Sequence, residues 1–205
     1  MNVKLKKTFE FVSGAVYQNK FLINLYNVDI KMVTATSDTA EQNIAYERIK
    51  YWVHSILNDG VLIAEDSEIF GAYQETGQRL IAMPMDPVDQ ILGFVLYSKF
   101  NAIAESRLVI TDLEISSVHG DSMVYLHNEN ENLEGFNQTG WWNDPGPCWQ
   151  NKSKKKRAAN KVITLERMPE WKDLDLDWTS DDSSEKEPEL VSTVLFADFL
   201  KDEKK

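Results

Sequence analysis

The chain has three histidines and one cysteine, and two of the histidines stand two residues before a carboxylate. In His119-x-Asp121 and His127-x-Glu129 the paired residues share a face if the backbone is extended, so each pair can present an imidazole and a carboxylate to one metal ion. The competing reading makes His119 to Asp121 a polar hairpin turn and Glu129 part of the loop that follows. Cys148 has no histidine in its own segment to act as a base and reads as an inert thiol. A single cysteine also excludes an internal disulfide and a cysteine-rich zinc site. Neither GxGxxG nor GxxxxGK occurs, which removes the standard nucleotide cradles.

Two further groups carry chemistry by type. Glu65, beside Asp66 and Glu68, follows a short apolar run, and Glu114 sits among apolar neighbours in another. A carboxylate so placed can pair with the N–H edge of a purine or pterin ring, or accept a proton where burial raises its pKa. The plainer alternative is a carboxylate facing water from a strand. Trp141 and Trp142, with Trp149, precede Lys154, Lys155 and Lys156. Stacking rings beside positive charge are what single-stranded nucleic acid binding uses. The same rings also suit a loop clamped onto the core, and that reading is preferred. No catalytic residue and no cofactor is assigned.

The elements that must position these groups follow from periodicity. Phe9 to Tyr17 and the run from Phe21 read as a hairpin, with a phase change near Tyr26-Asn27 that predicts a β-bulge. Thr39 to Gly60 reads as a helix. A Thr39-x-x-Gln42 capping box opens it, Ala45, Ile49, Trp52, Val53 and Ile56 form its stripe, and Gly60 is its left-handed stop. Val61 and Arg79 begin two short apolar strands separated by a polar loop. Asp86 as N-cap and Pro87 at the first helical position open a second helix reaching about Ala104, apolar enough to be covered on two sides. Arg107 to Ser116 and Met123 to His127 form a last hairpin. The expected fold is α+β: an antiparallel sheet from two hairpins, two helices on one face, and an irregular C-terminal region.

Length and composition bound the rest. The 205 residues, 42% hydrophobic, suit one domain with appendages. The expected parts are a core over 1–128, a Trp/Pro/Gly-rich and basic extension over 129–169, an acidic flexible linker over 170–188 and an amphipathic helix over 189–205. Of the net charge of −11, the stretch from Glu170 to Glu189 holds nine acidic residues against two lysines. Such an acidic tail argues against duplex DNA as a ligand. No apolar run is long enough to span a bilayer, so no membrane partner is expected, and the thiol content points to the cytoplasm.

The order hairpin, helix, helix, hairpin over Phe9 to His127 resembles the tunnelling fold of pterin- and purine-handling enzymes such as GTP cyclohydrolase and dihydroneopterin aldolase. That resemblance implies oligomeric barrels, ring-binding sites between subunits and a carboxylate anchor. The closing LFADFLKD looks like the acidic-apolar tails with which T4-type phage replication and late-transcription proteins grip their sliding clamp, which implies Leu195, Phe196, Phe199 and Leu200 as partner contacts. The resulting expectation is a non-enzymatic accessory protein, self-associating and recruiting a protein partner through its C-terminal helix. The alternatives are a tunnelling-type enzyme or binder of a purine- or pterin-like molecule, and a single-stranded nucleic acid binder.

Overall fold

A computed structural model of the chain describes residues 3–128, 140–151 and 168–178. Strands β1 (Lys4–Tyr17) and β2 (Lys20–Thr34) form a long hairpin, whose two turn residues, Gln18 and Asn19, both take left-handed φ as a two-residue turn requires. Asn24, Tyr26, Val28, Ile30 and Met32 keep one inward phase along β2, so the expected bulge near Tyr26-Asn27 is corrected. The irregularity lies between β2 and β5 (Leu108–Ser117), at Lys31/Met32, where β5 carries Thr111 as an extra residue. The phase read from Phe21, Ile23 and Leu25 belongs to the opposite face, and Ile23 is 64% exposed.

Helix α1 (Thr39–Tyr51) is capped by Asp38, whose carboxylate accepts from Ala40 N at 2.8 Å, while Gln42 Nε2 reaches back to Thr36 O. The N-cap is therefore Asp38, one residue before Thr39, and the capping box expected at Thr39-x-x-Gln42 does not form. The helix widens into a π-helical turn over Trp52–Leu57 and ends on Asp59, which takes the left-handed conformation assigned to Gly60. Glycine is needed at position 60 for a different reason, since a Cβ there would lie 2.8 Å from both Ile56 O and Ile81 Cδ1. Helix α3 (Asp89–Ala104) begins three residues after Asp86, with Pro87 buried in an extended lead-in.

The sheet is six-stranded and mixed, in the order β4-β3-β1-β2-β5-β6, with β3 (Val61–Ala64), β4 (Leu80–Met83) and β6 (Tyr125–Asn128) completing it. The expectation of a purely antiparallel sheet is corrected at one edge, where β1 pairs parallel with β3 and β3 with β4. The cause is legible in VLIA and LIAM, whose residues are all buried, as strands covered on both faces must be. Between them the stretch read as loop forms a short helix, α2 (Phe70–Gln74), which packs with Ile69 over Val16, Val61, Ile63 and Leu80 on the face opposite α1 and α3.

Helices α1 and α3 cover the main core. The outer side of α3 is covered by residues 140–149, where Trp141 stacks on Trp52 at 5.4 Å. The opening of the acidic stretch is docked as well: Trp171 is buried, and Arg48 Nε donates to Leu176 O at 2.8 Å. No helix among the described residues is long and apolar enough to cross a membrane.

Candidate functional site

Three polar centres lie inside this apolar frame, and they differ in how completely they are satisfied. Lys99, on α3, is fully buried, and its ammonium donates to Trp141 O (3.1 Å), Asp144 O (2.8 Å) and Gly146 O (2.7 Å), with Cys148 Sγ at 3.7 Å. Burial pushes its pKa down to about 8, against the pull of Cys148 and Asp144. Three carbonyls use all three N–H groups, so this lysine ties the tryptophan loop to α3 and has no donor left for a ligand.

Arg48 is equally spoken for. Its guanidinium lies 3.6 Å from the Trp178 ring, donates to Glu105 Oε1 at 2.8 Å and to Ile103 O, and holds the 171–178 segment against the helix pair. Beside it a cleft of about 280 Å³ runs between Glu105, Pro145, Pro147 and Trp171. The carboxylate of Glu105 on its wall is already paired with Arg48.

The third centre has unmet capacity. Asn24 and Tyr26 point inward from β2, Ser117 stands opposite Tyr26 at the end of β5, and Asp89 reaches them from the first turn of α3. Ser117 Oγ donates to the Asp89 carboxylate at 2.7 Å, Asn24 Nδ2 donates to Ser117 Oγ at 2.9 Å, and Asn24 Oδ1 accepts from His119 N at 3.0 Å. Burial raises the Asp89 carboxyl above the usual carboxylate range, the Ser117 hydrogen bonds oppose this, and the Asp121 charge adds to it. The Tyr26 hydroxyl is fully buried and has no hydrogen-bond partner in acceptable geometry. Burial pushes its pKa up to about 12, with the Asn24 side chain opposing and the Asp89 charge reinforcing the shift. The turn over residues 118–124 lies above this cluster, close enough that a Cβ on Gly120 would overlap Asp89 Oδ2.

The structure distributes the residues singled out in the sequence. Glu114 faces the open side of the sheet and pairs with Lys31 at 3.3 Å. Glu65 follows β3 and accepts from Asn151 at 2.9 Å. The two are not brought together: Glu114 lies in register with Asp29 and Thr8, whereas Glu65 follows a strand paired at Val16, eight positions along β1. Asp121 is exposed and bonded to Tyr125, while His127 turns into the core against Gly93 of α3. Among the described residues no group of three or more His, Cys, Asp or Glu side chains is placed to hold a metal ion. Trp141 and Trp142 are buried, so neither offers an open face to a nucleobase. Glu129, Lys154, Lys155, Lys156, Leu195, Phe196, Phe199 and Leu200 lie outside the described residues. Asn24, Tyr26, Asp89 and Ser117 were not singled out. The available signal was a polar Asn24 in phase with Tyr26, Val28, Ile30 and Met32, which the supposed bulge hid.

No protein-family model and no curated protein matches the chain. Solved structures do. The uncharacterized protein WS1659 from Wolinella succinogenes is 12% identical with a TM-score of 0.44, covering 64% of this chain and 99% of its own. The 6-pyruvoyl tetrahydropterin synthase from Plasmodium vivax is 10% identical with a TM-score of 0.41 and the same coverage. That of Caenorhabditis elegans is 7% identical with a TM-score of 0.39, covering 62% and 96%. At such values the likeness concerns the course of the backbone and no individual side chain. The expectation of a non-enzymatic accessory protein is corrected, since the neighbours whose names give an activity are pterin synthases; a likeness of this degree assigns no activity to this chain.

Proposed function

We propose that the chain is a small-molecule protein of tunnelling type, an enzyme or binder for a purine- or pterin-like ring, and that it works as a homo-oligomer. The observation that carries this reading is the course of the chain. The strands β1, β2, β5 and β6 are consecutive and antiparallel, with α1 and α3 on one face between the two hairpins. The segment β3-α2-β4 is then an insertion between the two helices that extends the sheet beyond β1. Self-association is supported by the β6 edge, where Leu126 is 61% and the adjoining Val124 is 58% exposed.

A thermal-shift panel of purines, pterins and divalent metals on the full chain tests this. The expected result is a rise in melting temperature with at least one oxidised ring, since a ligand at a hundred times its Kd adds about 3 kcal/mol of stability. No shift with any compound would overturn the reading.

A further inference from the structure

A sheet joins another sheet through the backbone groups of its edge strands, so what its two edges still offer decides how copies of the chain can meet. In a parallel pair, alternate residues of a strand point their N–H and C=O at the neighbour and the residues between them point theirs away. Val61 N donates to Arg79 O and Glu65 N to Met83 O, each at 2.9 Å, so Arg79, Ile81 and Met83 serve β3 and Ala82 faces outward. Both groups of Ala82 are taken: its N–H donates to Trp149 O at 3.3 Å, and its carbonyl accepts from Trp141 Nε1 at 2.6 Å. Lys99 holds the same loop from the helix side, and Asn151 at the loop's end donates to Glu65 at 2.9 Å. The β4 edge is thus capped by the chain's own tryptophan loop.

The β6 edge differs. Val118 N donates to Leu25 O at 3.0 Å, and the β2–β5 register runs unbroken from there back to Asp112. Glu114 and Ser116 therefore turn their backbone groups to β2, whereas Leu113 and Ile115 turn theirs to β6. Their partners His127 and Tyr125 face β5 in return, and Leu126, between them, points its N–H and C=O away from the sheet. Among the described residues no strand lies beyond it. The Leu126 side chain, in register with Glu114, is exposed on the open face.

A ring of copies needs two complementary edges on every chain, because each of its interfaces joins unlike surfaces; a two-fold pair uses one edge twice. From one capped edge and one open edge we propose that the homo-oligomer is a two-fold dimer, in which β6 pairs antiparallel with β6 of a second copy about Leu126, and not the closed barrel that the tunnelling resemblance implies. The Leu126 N–H donates to the carbonyl of the partner's Leu126, the reciprocal bond completes the pair, and the two side chains meet on the open face of a sheet continuous through both copies. This inference rests on the self-association proposed above and specifies its symmetry.

Sedimentation of the native full chain counts the copies, amide hydrogen exchange reports on the Leu126 N–H, and air oxidation of Leu126→Cys in a Cys148→Ala background reports on the axis. Cα atoms of a hydrogen-bonded antiparallel pair lie about 5.5 Å apart, within disulfide reach. The expected results are a mass of two chains, and a Leu126 amide that exchanges at least about tenfold more slowly in the dimer than in the monomer obtained by dilution. Leu126→Cys should also form a disulfide-linked dimer, whereas Ile23→Cys, exposed on β2 two strands away, should not. The two measurements on the native chain decide the matter if the cysteine variant fails to fold. A mass of three or more chains overturns the two-fold pair and leaves self-association standing. So does a dimer whose Leu126 amide exchanges at the monomer's rate, or in which a folded Leu126→Cys does not cross-link. A native chain that is monomeric overturns both and leaves the small-molecule reading to its own ligand panel.

Discussion

A lysine with no exposed surface is normally a liability, and Lys99 shows what offsets it. Three backbone carbonyls surround the ammonium, and the Trp52 and Trp141 rings lie 5.8 and 5.6 Å from it. Burial still wins in part, lowering the pKa from 10.5 to about 8. Between those values the unfolded chain binds more protons than the folded one, so this group makes stability rise as pH climbs from 8 toward 10.5, by on the order of 3 kcal/mol in all. Tyr26, held near 12, works in the opposite direction only above its unfolded value near 10. Urea melts between pH 8 and 10 in a Cys148→Ala background, which removes the neighbouring thiol's own titration, should therefore show a rising midpoint. Adding Lys99→Met should flatten it, and a slope that survives would refute the assignment. Nothing in the sequence marked Lys99, because a lysine within an apolar helix reads as a residue at the rim of the stripe. Its partners are carbonyls from a loop some forty residues away, and carbonyls carry no sequence signal.

Among the elements, α3 is where spacing was most informative and where it also misled. Its apolar breadth correctly required cover on two sides, yet the second cover is a tryptophan loop anchored through Trp141 Nε1 to Ala82 O at 2.6 Å. Its start was misread because Asp86-Pro87 and Asp89 both suit a helix opening, and only the tertiary bond to Ser117 shows which carboxylate enters the helix. Gly93 in mid-helix has a packing reason that periodicity hides: a Cβ there would overlap the His127 ring and lie 2.6 Å from Ile115 Cγ2. Gly93→Ala gains about 1 kcal/mol of helix propensity but must push β6 outward, so the net effect should be destabilisation by about 1–3 kcal/mol. Chemical denaturation checks the sign; a stabilised variant would mean that β6 yields without cost. The parallel pair β3 and β4 was visible as two apolar tetrads, but four residues fix neither partner nor direction.

At the scale of the molecule, the two antiparallel hairpins and the two-helix layer were legible because long amphipathic elements state which face they bury. The mixed edge and the docked 168–178 segment were not. Arg48 reads as solvated on the polar side of α1, and a stretch as acidic as Glu170–Trp178 reads as linker until two tryptophans and a buried guanidinium are seen together. The homo-oligomer proposed above places β6 at an interface. Leu126→Lys, at a strongly exposed edge position, should leave the monomer folded and lower the mass seen by light scattering to that of one chain. A native chain that is already monomeric would refute the interface.

All six tryptophans fall within the described residues, and four of them, Trp52, Trp141, Trp142 and Trp171, are buried. Trp52 belongs to the helix layer, whereas Trp141 arrives with the loop that Lys99 ties down, and their rings stack at 5.4 Å with an interplanar angle of 17°. Two indoles that close couple their electronic transitions, so the folded chain carries its own optical gauge of loop docking. Near-ultraviolet circular dichroism should lose the coupled signal when the loop lifts, before the blue-shifted emission of the whole domain moves to the red.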